Sequence, residues 1–285
     1  GVGAILLKPL KKAIADNDHI YGVIKGTAVN HGGKTNGYSV PNPVAQSEVI
    51  RKALSKAKIN PSTISYIEAH GTGTSLGDPI EIDALTDVFK KYTDKKQYCA
   101  IGSVKSNAGH LEAAAGIAQI TKVLMQFKSD TIFPSRLNSD SLNHNIHFED
   151  TPFYVQTSAQ KWVVDNNREN PEGLMRAGVS SFGVGGVNVH IVLEEYREPE
   201  REKAVKSETT LLIPLSALSS EALERNVKQL RTFLETESLP DIRDFAYTLQ
   251  VGRIELAYRA AFAVHSYDEL KSVLDKYINN DYKDD

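Results

Sequence analysis

Apolar residues in the stretch VAQSEVIRKALSKA, 44–57, recur at spacings of three and four, which predicts an amphipathic helix. Asn60-Pro61 stops it, and ISYIEAH predicts the strand that follows. A second helix is expected from Pro79, a residue suited to a first helical turn, to about Lys91. YCAIGSV, 98–104, predicts another strand, followed by a Gly/Asn turn and the helix LEAAAGIAQITKVLMQF. The Ala- and Gly-rich start of that helix suits close packing on another backbone. Residues 1–8 and 20–30 read as two strands joined by a turn around Asp16-Asn17-Asp18. HGGKTNGYSVPNP, 31–43, reads as a loop, and so does most of 131–178 with Pro134, Pro152 and Pro171. AGVSSFGVGGVNVHIVLEEY predicts a Gly-rich bend and then an apolar strand over 187–194. Strands alternating with helices imply an α/β layered domain.

Composition changes at REPEREKAVKSE, 197–208, which is charged and poor in apolar residues and reads as a linker or a solvated helix. Beyond it the pattern predicts strand (TLLIPLSA), helix (SSEALERNVKQLRTFLETE), helix (DIRDFAYTLQVGR), strand (AYRAAFAVHS) and helix (SYDELKSVLDKYI). That is a small α/β unit of its own. The expected domains are 1–196, a linker 197–209, and 210–285. The closing DYKDD resembles the start of a common epitope tag and carries no functional weight. GVGAILLKPL reads as a strand already under way, so the chain is expected to be a piece of something longer.

Net charge and cysteine content narrow the function classes. A net charge of −3 gives no reason to expect nucleic acid or an anionic membrane as partner, and no run reaches transmembrane length. The single cysteine, Cys99, rules out an internal disulfide framework and fits a reducing cytoplasm. It lies in a strand interior, where cysteine serves as a small buried hydrophobe.

Three segments join an apolar strand to a polar, Gly-containing turn: YIEAHGTGTSLGD, IGSVKSNAGHLEAAAG and SSFGVGGVNVH. Such turns converge at one sheet edge in layered α/β proteins. GTGTSLG does not match G-x-G-x-x-G, and no Gly-Lys-Ser/Thr follows it, so a phosphate loop is weakly supported. His70 and His110 stand 40 residues apart with no His or Cys at ligand spacing, which argues against metal. A third reading is a pair of imidazoles, His70 and His110, that stabilise a developing enolate oxygen or move protons, set against the structural role that a His beside a Gly-rich turn more often has. Lys105, five residues before His110, would add positive potential and help to position it.

EAHGTGTSLGDPIE, GSVKSNAGHLEAAAG and SFGVGGVNVHIVLEE closely resemble three motifs of the β-ketoacyl synthase (ketosynthase) domains of modular polyketide synthases. The resemblance covers about residues 1–196, and the remainder resembles the subdomain that flanks such ketosynthases. HGGKTNGYSVPNP is similar to loops of assembly lines served by a separate acyltransferase. The resemblance implies a thiolase-like layered fold, present here as its C-terminal half. It implies that His70 and His110 are the two catalytic histidines and Lys105 the active-site lysine. It implies that Gly183 and Val184 supply an oxyanion-hole amide, and that Thr72 and Thr74 contact phosphopantetheine. His31, Asn107 and Phe182 would line the pocket. The implied reaction is decarboxylative Claisen condensation of an acyl-cysteine thioester with a carrier-bound malonyl extender. The implied partners are acyl carrier protein, other synthase domains and a second copy, in the cytoplasm, with no permanently bound cofactor or metal.

Two departures bear on this. The family's nucleophile sits in a Cys-Ser-Ser type motif N-terminal to everything present here, so no nucleophile is expected in this chain. Val187 and Val189 stand where a GGTNAH version of the last motif has Thr and Ala. His190 alternates with apolar residues on a strand and reads as structural, while His19, His144, His147 and His265 carry no motif. A competing class is a structural module, in which the exposed helices 219–236 and 266–278 organise neighbouring synthase domains. A third is a non-elongating domain that only passes acyl chains onward, which the presence of both His70 and His110 disfavours.

Overall fold

A computed structural model describes residues 1–35, 37, 40–135, 142–164, 166–199, 209–236 and 238–281. The charged stretch 200–208 and the last four residues of DYKDD lie outside the described residues. The chain forms two compact units, Gly1–Glu198 and Pro199–Asp285.

The first unit runs α1 (Leu10–Ala15), β1 (Val23–His31), α2 (Pro43–Ala57), β2 (Tyr66–Glu68), α3 (Gly77–Phe89), β3 (Cys99–Gly102), α4 (Lys105–Ala108) and α5 (Ala115–Lys128). It continues with β4 (Thr131–Ile132), β5 (Phe153–Val155), β6 (Gln160–Lys161), β7 (Arg176–Phe182) and β8 (Val187–Glu194). Six strands form one mixed sheet in the order β1-β8-β7-β2-β3-β5. β7, β2, β3 and β5 run parallel, while β8 is antiparallel to both its neighbours.

Alternation along the central strands sends side chains to two separate cores. Ile67, Cys99 and Ile101 face a cluster with Val49, Ile50 and Leu54 of α2 and Leu85 and Phe89 of α3. Tyr66, Ala100, Ala177 and Val179 face the opposite cluster, with Ile120, Val123 and Phe127 of α5 and Trp162. Both faces of the sheet are therefore covered, which is why its parallel strands read as continuous apolar runs. Cys99 is fully buried between layers, and burial pushes its thiol pKa up.

Local chemistry explains the helix ends. The Asn42 side chain accepts the Val44 and Ala45 N–H groups, and Pro43 occupies the first turn of α2. Thr74 Oγ1 accepts the Gly77 N–H at the start of α3, at 3.0 Å.

The second unit contains β9 (Leu211–Ala217), α6 (Ser220–Phe233), α7 (Ile242–Val251), β10 (Tyr258–Val264) and α8 (Tyr267–Ile278). β9 and β10 pair antiparallel, and Ile213, Phe262 and Val264 on one face pack against Val227 of α6 and Leu270 and Leu274 of α8. Ser219, Asp241 and Ser266 cap the three helices through their side-chain oxygens.

The fold corrects three sequence expectations. Residues 1–8 form no strand; no described strand pairs with them, and Val2 and Leu6 are fully exposed. Within 131–178, Phe153–Val155 is a strand of the main sheet, and 176–182 is not a bend but the strand between β8 and β2. Small residues hide it: a Cβ at Gly178 would lie 2.8 Å from Ile67 Cδ1 and 3.0 Å from the His190 ring, so bulk comes from its neighbours. His31 is the last residue of β1, paired with Val187, rather than part of the loop.

Candidate active site

The C-terminal ends of parallel strands β2, β3 and β7 carry the three Gly-containing turns to one sheet edge. His70 lies two residues past β2. Gly71 follows it with φ +47, a left-handed conformation, and a Cβ there would sit 2.8 Å from Ser103 Cβ, so glycine is required on both counts. The Glu81 carboxylate on α3 accepts the His70 and Gly71 N–H groups at 2.7 and 2.9 Å. Burial raises the Glu81 pKa to about 7, against the pull of those two bonds.

The His70 ring is fixed from behind. Phe182 N–H donates to its Nδ1 at 3.3 Å, and Lys105 Nζ stands 3.4 Å from the same nitrogen. Lys105 also donates to the His70 carbonyl. Burial, then the positive charges of Lys105 and His110, lower the His70 pKa to about 3. The ring is neutral at pH 7, and with Nδ1 accepting, its proton stands on Nε2.

His110 is built the same way from different elements. Gly109, with φ +80, ends α4 and swings the chain into His110. The Glu112 N–H donates to His110 Nδ1 at 2.9 Å, which puts the neutral ring's proton on Nε2. Glu112 holds φ +51, an unusual conformation for a residue with a side chain, at the position whose N–H meets the ring. The two ring centres are 5.8 Å apart and nearly perpendicular. An oxygen about 2.8 Å from a ring nitrogen lies about 4 Å from that ring's centre, so one oxygen can accept from both.

A buried ionic group supports these turns. Glu68 accepts from the Tyr66 hydroxyl at 2.7 Å and from the Val104 N–H at 2.5 Å, and lies 2.9 Å from Lys122 Nζ. Burial pushes the Glu68 pKa up, while Lys122 and the two hydrogen bonds oppose the shift. The group ties the end of β2 to the entrance of α4, and so His70 to Lys105.

A cavity of about 680 Å³ opens on the two rings. Of the residues singled out in the sequence, His70, His110, Thr72, Thr74, Phe182, Gly183 and Val184 line it. Lys105 stands behind His70 rather than on the wall. Asn107 is turned away, its amide donating to the Pro134 carbonyl at 3.3 Å. His31 is also off the wall, because its place on β1 lays its ring against Gly186. Val187 is off it too, so the Thr-to-Val departure does not narrow this cavity. The Gly183 N–H is consumed by the Val187 carbonyl at 2.7 Å, whereas no described group accepts the Val184 N–H. Thr72 and Thr74 hydroxyls lie 3.3 Å apart at the mouth. His190 is buried within the sheet, with Ser180 Oγ 3.0 Å from its Nδ1. Sequence reasoning missed Glu81 and Gln46, both buried yet on the cavity wall. Their signal was a polar residue on the apolar face of a helix.

Comparison with known proteins places the chain in a family. Residues 21–139 match the family described as β-ketoacyl synthase, C-terminal domain, and residues 214–281 match the RhiE-like, KS-MAT linker domain. The chain is 54% identical to polyketide synthase PksL and 52% to polyketide synthase PksM of Bacillus subtilis. These matches cover 96% and 98% of the chain but only 6% and 7% of the relatives. The ketosynthase from module 6 of the bacillaene synthase of Bacillus subtilis superimposes with a TM-score of 0.78 at 43% identity, over 97% of this chain and 46% of that one. An oxazolomycin ketosynthase domain from Streptomyces albus gives 0.80 at 37% identity, over 97% and 47%. The chain thus spans a small fraction of the curated relatives and just under half of the solved ketosynthases. It belongs to the β-ketoacyl synthase family of polyketide synthases, carrying that family's C-terminal domain and, after it, a RhiE-like linker domain.

Proposed function

We propose that this chain supplies the extender-activating part of a polyketide synthase ketosynthase, an acyltransferase that performs decarboxylative Claisen condensation. The observation that carries the reading is the matched pair of imidazoles. Each has Nδ1 occupied by a backbone N–H, which leaves the neutral ring's proton on Nε2, and both rings line the same cavity. A carrier-bound malonyl thioester would place its carbonyl oxygen between them. Loss of CO₂ leaves an enolate on that oxygen, and two fixed donors stabilise the charge as it forms. The enolate carbon then attacks an acyl-cysteine thioester, whose thiol lies outside this chain. The Val184 N–H would receive the tetrahedral oxygen of that second step, and collapse of the intermediate breaks the C–S bond and releases the cysteine thiolate.

Thr72 and Thr74 would meet the phosphopantetheine arm of an acyl carrier protein at the mouth. The parent enzyme would act in the cytoplasm as a homodimer, without a permanent cofactor, in an assembly line served by a separate acyltransferase. No helix among the described residues is long and apolar enough to cross a membrane. The isolated chain would not condense, since its one thiol is buried. Acyl transfer onto the purified chain, lost in Cys99→Ala, would contradict this.

In the intact ketosynthase, His70→Ala and His110→Ala should each slow extender decarboxylation by about 10²–10³ while leaving cysteine acylation in place. The double variant should lose far less than the product of the two, because both donors serve one oxygen. Near-normal decarboxylation in either single variant would refute the assignment.

A further inference from the structure

β2 and β7 pair in parallel only as far as Glu68 and Val179. One position further, Ala69 turns its N–H to Gly102 of β3, at 2.8 Å. The carbonyls of Ala69 and Ser180 are joined instead by a side chain from a third element. Gln119 of α5 donates from Nε2 to Ala69 O at 2.8 Å and to Ser180 O at 2.9 Å. This amide is completely buried, and its Oε1 has no hydrogen-bond partner. A methionine of similar length would fill the space without that orphaned oxygen. Space-filling therefore does not account for the amide, whereas its two bonds do something specific.

Those bonds lie where the active-site geometry is decided. Ala69 immediately precedes His70, and Ser180 stands two residues before Phe182, whose N–H fixes His70 Nδ1. The spacing of the two strand ends sets the 3.3 Å contact that leaves the His70 proton on Nε2. We propose that Gln119 is a positioning residue for the condensing reaction, acting as a side-chain rung that holds the His70 and Phe182 segments in register. It does not reach the cavity, so its effect passes through His70 alone. The proposal rests on the assignment of His70 as a donor to the extender.

The test uses the intact ketosynthase with carrier-bound malonyl extender. Gln119→Met should lower kcat for decarboxylation about tenfold or more, with KM shifted less than about twofold and cysteine acylation unchanged. Nitrogen-15 spectra of His70 should show a mixture of ring tautomers in place of the single Nε2–H form. Gln119→Glu keeps the shape and, when protonated, can donate only one of the two bonds. With one bond of the two, it should decarboxylate faster than Gln119→Met and more slowly than the parent at some point between about pH 5 and 8. Undiminished decarboxylation in Gln119→Met, or an equal fall in acylation and decarboxylation, overturns the proposal. So does a Gln119→Glu enzyme that acylates normally yet decarboxylates no faster than Gln119→Met throughout. His70→Ala separates the two levels. If it too decarboxylates normally, the donor assignment has failed and the clamp with it; if it is inactive while Gln119→Met is not, only the clamp has failed.

Discussion

The two units of this chain bury different chemistry. The linker unit packs Ile213, Val227, Leu234, Phe262, Val264, Leu270 and Leu274 into an apolar core and keeps its ion pairs, such as Arg231–Asp275, at the surface. The ketosynthase unit buries Glu68, Glu81, Lys122, Gln119, Gln126 and His190. Among the described residues every buried polar side chain lies between Gln46 and Glu195, in the ketosynthase unit. Several of their atoms, including Gln46 Oε1 and His190 Nε2, have no hydrogen-bond partner. In the linker unit capping, periodicity and packing agree, as they do where a segment only has to fold. The ketosynthase unit departs from those rules where β2, β3 and β7 deliver its histidines, the place where function is expected to cost stability.

The sharpest way to break this contrast is to remove one charge from each unit. Lys122→Met strands Glu68 in the core and should cost about 3–5 kcal/mol. The fluorescence of Trp162, the one tryptophan, sits in that core and would report it in urea titrations of the full chain. Asp275→Ala removes a half-exposed partner of Arg231, whose pairing is screened by solvent, and should cost far less than Lys122→Met, read by far-ultraviolet circular dichroism. Equal costs would erase the distinction.

A smaller effect comes from acid. His70 and His190 have pKa values of about 3, both lowered first by burial, so they stabilise the fold above pH 6.5 and lose that contribution as pH falls toward 3. Glu81, raised to about 7, has the opposite sign: its protonation favours the folded state as pH falls from 7 to 4.5. Between about pH 6.5 and 4.5 the one glutamate offsets about one of the two histidines, so stability declines gently there and more steeply below. Glu81→Gln removes the compensating trend, so Trp162-detected stability should fall about twice as steeply between about pH 6.5 and 4.5. An unchanged pH profile would show that Glu81 is not protonated in this range. In the linker unit alone, Ser219→Ala deletes the α6 cap and should cost about 1 kcal/mol.

The same contrast explains what was legible in the sequence. α2, α5, α6 and α8 were readable because their apolar spacing is local and strong. β7 was not, because RAGVSSF is a strand only by virtue of pairing with β2 and β8 and of the room its small residues give to Ile67 and His190. Residues 1–8 misled in the other direction, being apolar enough for a strand that finds no described partner. At the site, motifs pointed to His70, His110 and the FGVGG turn. The supports escaped notice because Glu81 acts on backbone 10 and 11 residues away, and Gln119 on backbone 50 and 61 residues away. A run of letters does not display that. His31 and Asn107 were drawn in by proximity to Gly-rich motifs, although their backbones aim them elsewhere.

The central claim is that two backbone amides, from Phe182 and Glu112, hold both imidazoles with Nε2–H facing the extender. Long-range proton–nitrogen correlation spectra of the imidazoles in the full chain at neutral pH test it directly. The expected result is that His70 and the neutral form of His110 carry their proton on Nε2 alone, with His70 remaining uncharged at pH 5. A proton on Nδ1 of the neutral form of either ring, or a charged His70 at pH 5, would contradict it.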